Sequence, residues 1–232
     1  MPGSGHPRSP AVPRGALVRL IDDLGEIRTE FVRFQYNPAT LRRSFEPWNP
    51  FATDPQDQAA RTPLVQPFQP QESYAFELEF DATDAMAAGD ASAATTGVAA
   101  HIAALRQLIE PLEQTTSGLI GAPAAPSGGA GRRAERAQVP VTLLVLGKGT
   151  VLPVRITELA IEVLEFLPTL YPLMAKATLS LQVLTPDVFK CRGTATTDIA
   201  IAAYEFTRLQ DDELAQAATA DGGDGELAML PI

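Results

Sequence analysis

The sequence predicts a mainly β, α+β domain of antiparallel strands with one flanking amphipathic helix and a C-terminal helix. Three observations carry this. Tyr74-Ala-Phe76-Glu-Leu78-Glu-Phe80 alternates apolar with small or acidic residues, the period-two signature of a strand with one buried face. Residues 139–184 read as consecutive strands joined by turn chemistry. Helical spacing is confined to two stretches, one beginning at Val98 and one at Thr197 or Asp198.

Taken in order, residues 1–14 are rich in Pro, Gly and Ser and predict a flexible arm. Gly15 to Ile21 reads as a first strand, and Asp22-Asp23-Leu24-Gly25 supplies a turn. Glu26 to Tyr36 sets Ile27, Phe31, Phe34 and Tyr36 among Arg and Thr, which suits a twisted or bulged half-buried strand ended by Asn37-Pro38. Leu41 to Trp48 is a short third strand. Residues 49–71 hold five prolines and predict a loop, since proline removes a backbone donor and blocks both helix and central strand.

After the Tyr74–Phe80 strand, residues 82–97 are small and polar. From Val98, the residues Ile102, Leu105, Ile109 and Leu112 recur at helical spacing, giving one amphipathic helix ended or kinked near Pro111. Residues 118–137 lack periodicity and predict a surface insertion. Val139 to Leu146 is apolar on both faces, as a central strand would be, and Gly147-Lys148-Gly149 turns it into Val151–Phe166. Leu159, Ile161 and Val163 alternate there with polar or small residues. After a turn at Pro168–Pro172, Ala175, Ala177, Leu179, Leu181 and Val183 alternate with Lys176, Thr178, Ser180 and Gln182, completing a three-strand meander. Within residues 187–232, Thr197 or Asp198 caps a helix to about Gln216, with Ile199, Ala203, Phe206 and Leu209 on one face, and an acidic tail follows.

Composition narrows the function classes. At 232 residues, with 45% hydrophobic and 20% charged, the chain can bury one sizeable core, while 20 Pro and 17 Gly point to long irregular stretches. Eighteen Lys plus Arg against 28 Asp plus Glu give a net charge of -10, which repels nucleic acid phosphates. The N-terminus lacks the apolar core of a signal peptide, and no run reaches the ~18 apolar residues of a membrane span. The single Cys191 cannot form an internal disulfide, which suits a reducing compartment.

No catalytic, metal or cofactor site is predicted. The two histidines, His6 in the arm and His101 on the helix, do not make a metal site without an ordered tail, and no histidine neighbours Cys191 to activate it. Gly147-Lys148-Gly149-Thr150 lacks the upstream glycine of a phosphate loop, Thr142 standing in that place, and reads as a hairpin turn. The acidic run from Asp221 to Glu226 lacks the ligand spacing of a calcium loop. Glu77 and Glu79 share the outer face of their strand, and Asp22/Asp23 and Asp211/Asp212 are adjacent pairs unsuited to acid/base work.

Phe31-Val-Arg-Phe34-Gln-Tyr36-Asn37-Pro38, followed by Leu41-Arg-Arg-Ser44, resembles the entry motif of the tube and baseplate-adaptor family of contractile, phage-tail-like injection systems. Tyr74–Asp81 is similar to that family's acidic-apolar strand, and Phe166-Leu-Pro-Thr-Leu-Tyr171-Pro172-Leu173-Met174 stands where the family has a tyrosine-proline turn, so the likeness covers roughly residues 15–186. The resemblance implies two packed antiparallel sheets of the phage tail-tube type. It also implies a non-enzymatic role as a ring, six-fold in the family, that joins the inner tube to the spike and other baseplate subunits. No cofactor, nucleic-acid contact or membrane insertion is implied. Synthesis and assembly would be cytoplasmic, with release as part of the particle. Many relatives add a peptidoglycan-binding LysM domain, for which no room is expected here. On this reading the hairpin with Leu159, Ile161, Val163, Lys176, Thr178, Ser180 and Gln182 forms the intersubunit contact, while residues 49–71 and the two tails dock on neighbouring components. An inner-tube or tube-terminating role, and an unrelated β-sandwich that binds a ligand, are the alternatives.

Overall fold

The structure, a computed structural model, describes residues 14–23, 26–49, 64, 66, 68–111, 139–189 and 193–219. The expected arm, most of the 49–71 loop, the turn at Leu24-Gly25, the 118–137 insertion, His6, Cys191 and the acidic tail lie outside the described residues.

The strands are β1 (Ala16–Asp23), β2 (Glu26–Arg33), β3 (Leu41–Glu46), β4 (Gln71–Asp81), β5 (Val141–Leu146), β6 (Thr150–Phe166) and β7 (Pro172–Val183). All seven join one antiparallel ladder in the order β2-β1-β5-β6-β7-β4-β3, so where two packed sheets were expected the hydrogen-bonded pairing is that of a single sheet. The β5-β6-β7 meander stands as the alternation predicts, with Gly147 at φ 68 in the turn after β5.

That sheet curls on itself. β2 and β3 are its opposite edges yet are joined by residues 34–40 alone. A flat sheet would put the edges about 29 Å apart, the most that the eight steps from Arg33 to Leu41 could span if fully extended, and this link contains bends. Accordingly the ring of Phe34, just past one edge, lies 5.6 Å from that of Phe76 near the other, and both belong to one core with Leu17, Val32, Leu78, Leu144, Leu152, Leu179 and Leu181. Opposite the bulky residues of β4 the chain places small ones, Leu78 across from Ala177 and Phe80 from Ala175, which leaves room for helices against the inner face.

Those helices are α1 (Thr83–Ala87), α2 (Ala91–Thr96) and α3 (Ala99–Gln107). One long helix from Val98 was expected. Instead the helical spacing closes after nine residues, and the small, polar segment before it supplies two more turns of helix, α2 being capped by the Asp90 carboxylate on the N–H groups of Ser92 and Ala93. Gly97, at φ 55, ends α2 where a Cβ would collide with the carbonyl of Pro172, and the next residue, Val98, donates its N–H to that carbonyl at 2.8 Å. Only a glycine allows this approach of helix to strand.

A second core covers the outer face of the central strands: Val18, Leu20 and Leu143 pack on Phe189 of α4 (Pro186–Phe189) and Ala200 of α5 (Ala195–Thr219). β1 and β5 are thus buried on both faces, as the doubly apolar Val139–Leu146 reading requires. The C-terminal helix exists, but its expected face is reversed. Of the expected stripe only Ala203 packs against the core; Ile199, Phe206 and Leu209 are exposed, while Thr196, Thr197, Ala200, Tyr204 and Thr207 are buried. Polar anchors set this orientation, the Thr207 hydroxyl donating to the carbonyl of Val151 and accepting from its N–H.

Candidate assembly surface

The Phe34–Pro38 motif is a clasp for the curled sheet. Phe34 is buried, its N–H donating to the Gly15 carbonyl at 2.9 Å, and a Cβ on Gly15 would fall 2.5 Å from the Phe34 ring. The Asn37 side-chain oxygen accepts from the Gly15 N–H at 3.0 Å. Gln35, which sequence reading passed over, donates to the Asp81 carbonyl and accepts from the Asp81 N–H at 2.9 Å, mimicking a backbone pair between the two ends of the sheet. Tyr36 is partly exposed, with its hydroxyl 3.5 Å from the Asp84 carboxylate; desolvation, then Asp84 and Asp81, raise its pKa. Pro38 follows in the irregular link to β3. The spacing of this motif therefore does structural work, and Phe31 and Tyr36, taken as half-buried, face outward.

The two sides of the β6–β7 hairpin differ: β4 runs beside β7 from Gln182 to Met174, whereas β5 covers only the start of β6. β5 pairs only with Thr150–Val154, so among the described residues β6 from Arg155 to Phe166 has a partner on one side alone, β7. Unpaired strand edges offer free N–H and C=O groups to another chain. Leu159 and Val163 are half-buried and Ile161 is 37% exposed, all three on the face shared with Leu179, Ala177 and Ala175. Ladder irregularities between Ile156 and Glu158 and around Glu165 turn Leu164 and Phe166 outward, at 45% and 57% exposure. At the hairpin's end Leu170 is 80% exposed and holds φ 64, a left-handed conformation costly for a branched side chain. Beside this tip an apolar groove of about 610 Å³ runs between α3 and the hairpin, lined by Ala99, Ile102, Ala103, Ile161, Val163 and Pro172.

The polar face of β7 is held within the chain. Lys176 pairs with Glu77 at 2.8 Å and Glu79 at 3.0 Å, hydrogen bonds that lift its pKa above the usual lysine value. Ser180 donates to Glu158 and Gln182 to Gln71, while Thr178 is open to solvent.

A charged cluster escaped sequence reading. The Glu72 carboxylate is 1% exposed and bridges Arg43 of β3 and Arg208 of α5, each at 2.5 Å; Asp211 closes the far side on Arg43 at 2.9 Å. Arg43 lies over the Tyr74 ring and Arg208 over that of Tyr204. Burial opposes both guanidinium charges, yet the hydrogen bonds, with Asp211 and Glu72 for Arg43 and with Tyr204 and Glu72 for Arg208, hold both pKa values above normal. Desolvation first, and Glu72 next, push the Tyr74 hydroxyl well above its ordinary value. The signal was present: extending the Tyr74 alternation back by two places Glu72 inward, where a carboxylate needs partners.

His101 packs its ring 5.3 Å from that of Phe80, and burial lowers its pKa. Among the described residues no helix is long and apolar enough to cross a membrane. No protein-family model matches the chain, and no curated protein matches it.

Proposed function

We propose that the chain is a non-enzymatic structural component of a contractile, phage-tail-like injection system, an adaptor ring between the inner tube and the spike. The observation that carries this reading is the far half of β6: a long strand that among the described residues has one uncovered edge and leads to exposed Leu164, Phe166, Leu170 and Tyr171. In a monomer such an edge invites aggregation; a head-to-tail ring covers it with the next protomer. The curled antiparallel sheet with helices against its inner face supports a fold of tail-tube type, two facing layers made from one ladder. Within the ring the partners are further copies of the chain, six in the family it resembles, and above and below it the tube, spike and baseplate subunits. Assembly takes place in the cytoplasm, and the chain leaves the cell as part of the particle.

Co-expression with tube and spike proteins encoded beside it tests the reading. A stable complex that Ile161→Lys with Leu164→Lys abolishes, while the variant still melts cooperatively, is the expected result. A chain that co-purifies with neither protein contradicts it.

A further inference from the structure

Helix α5 docks by its more polar side and turns its apolar side out. Thr196, Thr197, Ala200, Tyr204 and Thr207 face the sheet, whereas Ile199, Ala202, Phe206 and Leu209 are exposed, Phe206 at 43% and Leu209 at 63%. At about 100° per residue the two stripes lie on opposite sides of the helix. The exposed residues step by three, four and three, the a and d spacing of a helix that packs on another helix. Asp198, Glu205 and Asp212 recur every seven residues along one flank, at g positions, and all three are exposed. The basic residue of α5, Arg208, is engaged by Glu72 and Asp211.

We propose that this outer face of α5 is a docking site for a basic amphipathic helix of a partner protein, with apolar residues at its a and d positions and Lys or Arg facing the acidic ridge. Charge selects this occupant over a second copy. Antiparallel self-pairing sets the three-carboxylate ridges against each other, and parallel self-pairing stacks Glu213 on Glu213 at the next a layer. Opposite charges on the flanks give register and partner choice, and the apolar seam gives the affinity. The inference rests on α5 alone and stands apart from the ring assignment.

The test uses the full chain and two synthetic peptides of about three heptads, both with Leu at a and d, one flanked by Lys and one by Glu. Fluorescence anisotropy should show saturable binding of the Lys peptide, weakened on the order of tenfold by Phe206→Glu and again by raising salt from about 50 to about 500 mM, and no binding of the Glu peptide. Glu205→Lys with Asp212→Lys should invert the preference. Circular dichroism checks that these exposed substitutions leave the fold intact. Failure of the Lys peptide to bind, equal binding of both peptides, or binding untouched by Phe206→Glu overturns the proposal. So does a dimer of the chain that Phe206→Glu dissolves, which would assign the face to a second copy.

Discussion

Glu72 occupies a place on β4 where the alternation with Tyr74, Phe76, Leu78 and Phe80 calls for an apolar side chain. Its burial is tolerated because two guanidinium groups neutralise it, and these come from β3 and α5, far apart in sequence. Glu72→Gln keeps the shape but leaves Arg43 and Arg208 short of countercharge. Complete burial would make the loss 3–5 kcal/mol; with both arginines about one-third exposed, about 2 kcal/mol is expected, read from chemical denaturation. Hydrogen exchange in α5 should quicken more than in β4 or β7. An inward carboxylate is legible in the sequence, whereas its partners are not, since nothing local to residue 72 points to residues 43 and 208. The clasp is similar: Phe34 and Asn37 stand out as a motif, but Gln35 becomes meaningful only once the sheet brings it to Asp81.

Strands were easier to read than helices for a physical reason. Period-two alternation survives in β4 and β7 because each buries one face, and β5 declares itself by being apolar on both. Helices α1 and α2 were missed because both are short and neither carries an apolar stripe, α2 being held instead by its Asp90 cap and by Gly97. α5 was found but turned: hydrophobic periodicity chose Ile199, Ala203, Phe206 and Leu209, of which only Ala203 meets the core, while the Thr207 and Arg208 contacts decided which side meets the sheet. Where a helix approaches a strand as closely as α2 approaches β7, a methyl group is decisive. Gly97→Ala sets a Cβ against the Pro172 carbonyl in a backbone conformation unfavourable to alanine, and a loss of about 2–4 kcal/mol is expected in thermal or denaturant unfolding. Gly89→Ala makes the control: its φ is also positive, but no atom lies within 4 Å of the added carbon, so its cost should be about 1 kcal/mol.

At the scale of the whole molecule the single curled ladder leaves three uncovered edges among the described residues: β2, β3 and the far half of β6. Two of them are short, and β2 carries alternating Arg and Glu that discourage stray pairing. The β6 edge is the long one and ends in exposed apolar residues, the combination that a neighbouring protomer would cover. Light scattering on the purified chain, from low to high micromolar concentration, measures this most directly. The account predicts a closed species of several protomers that Ile161→Lys with Leu164→Lys returns to the mass of one chain. A wild-type chain that stays at 24.7 kDa across the whole range, both alone and mixed with tube and spike proteins, would contradict it.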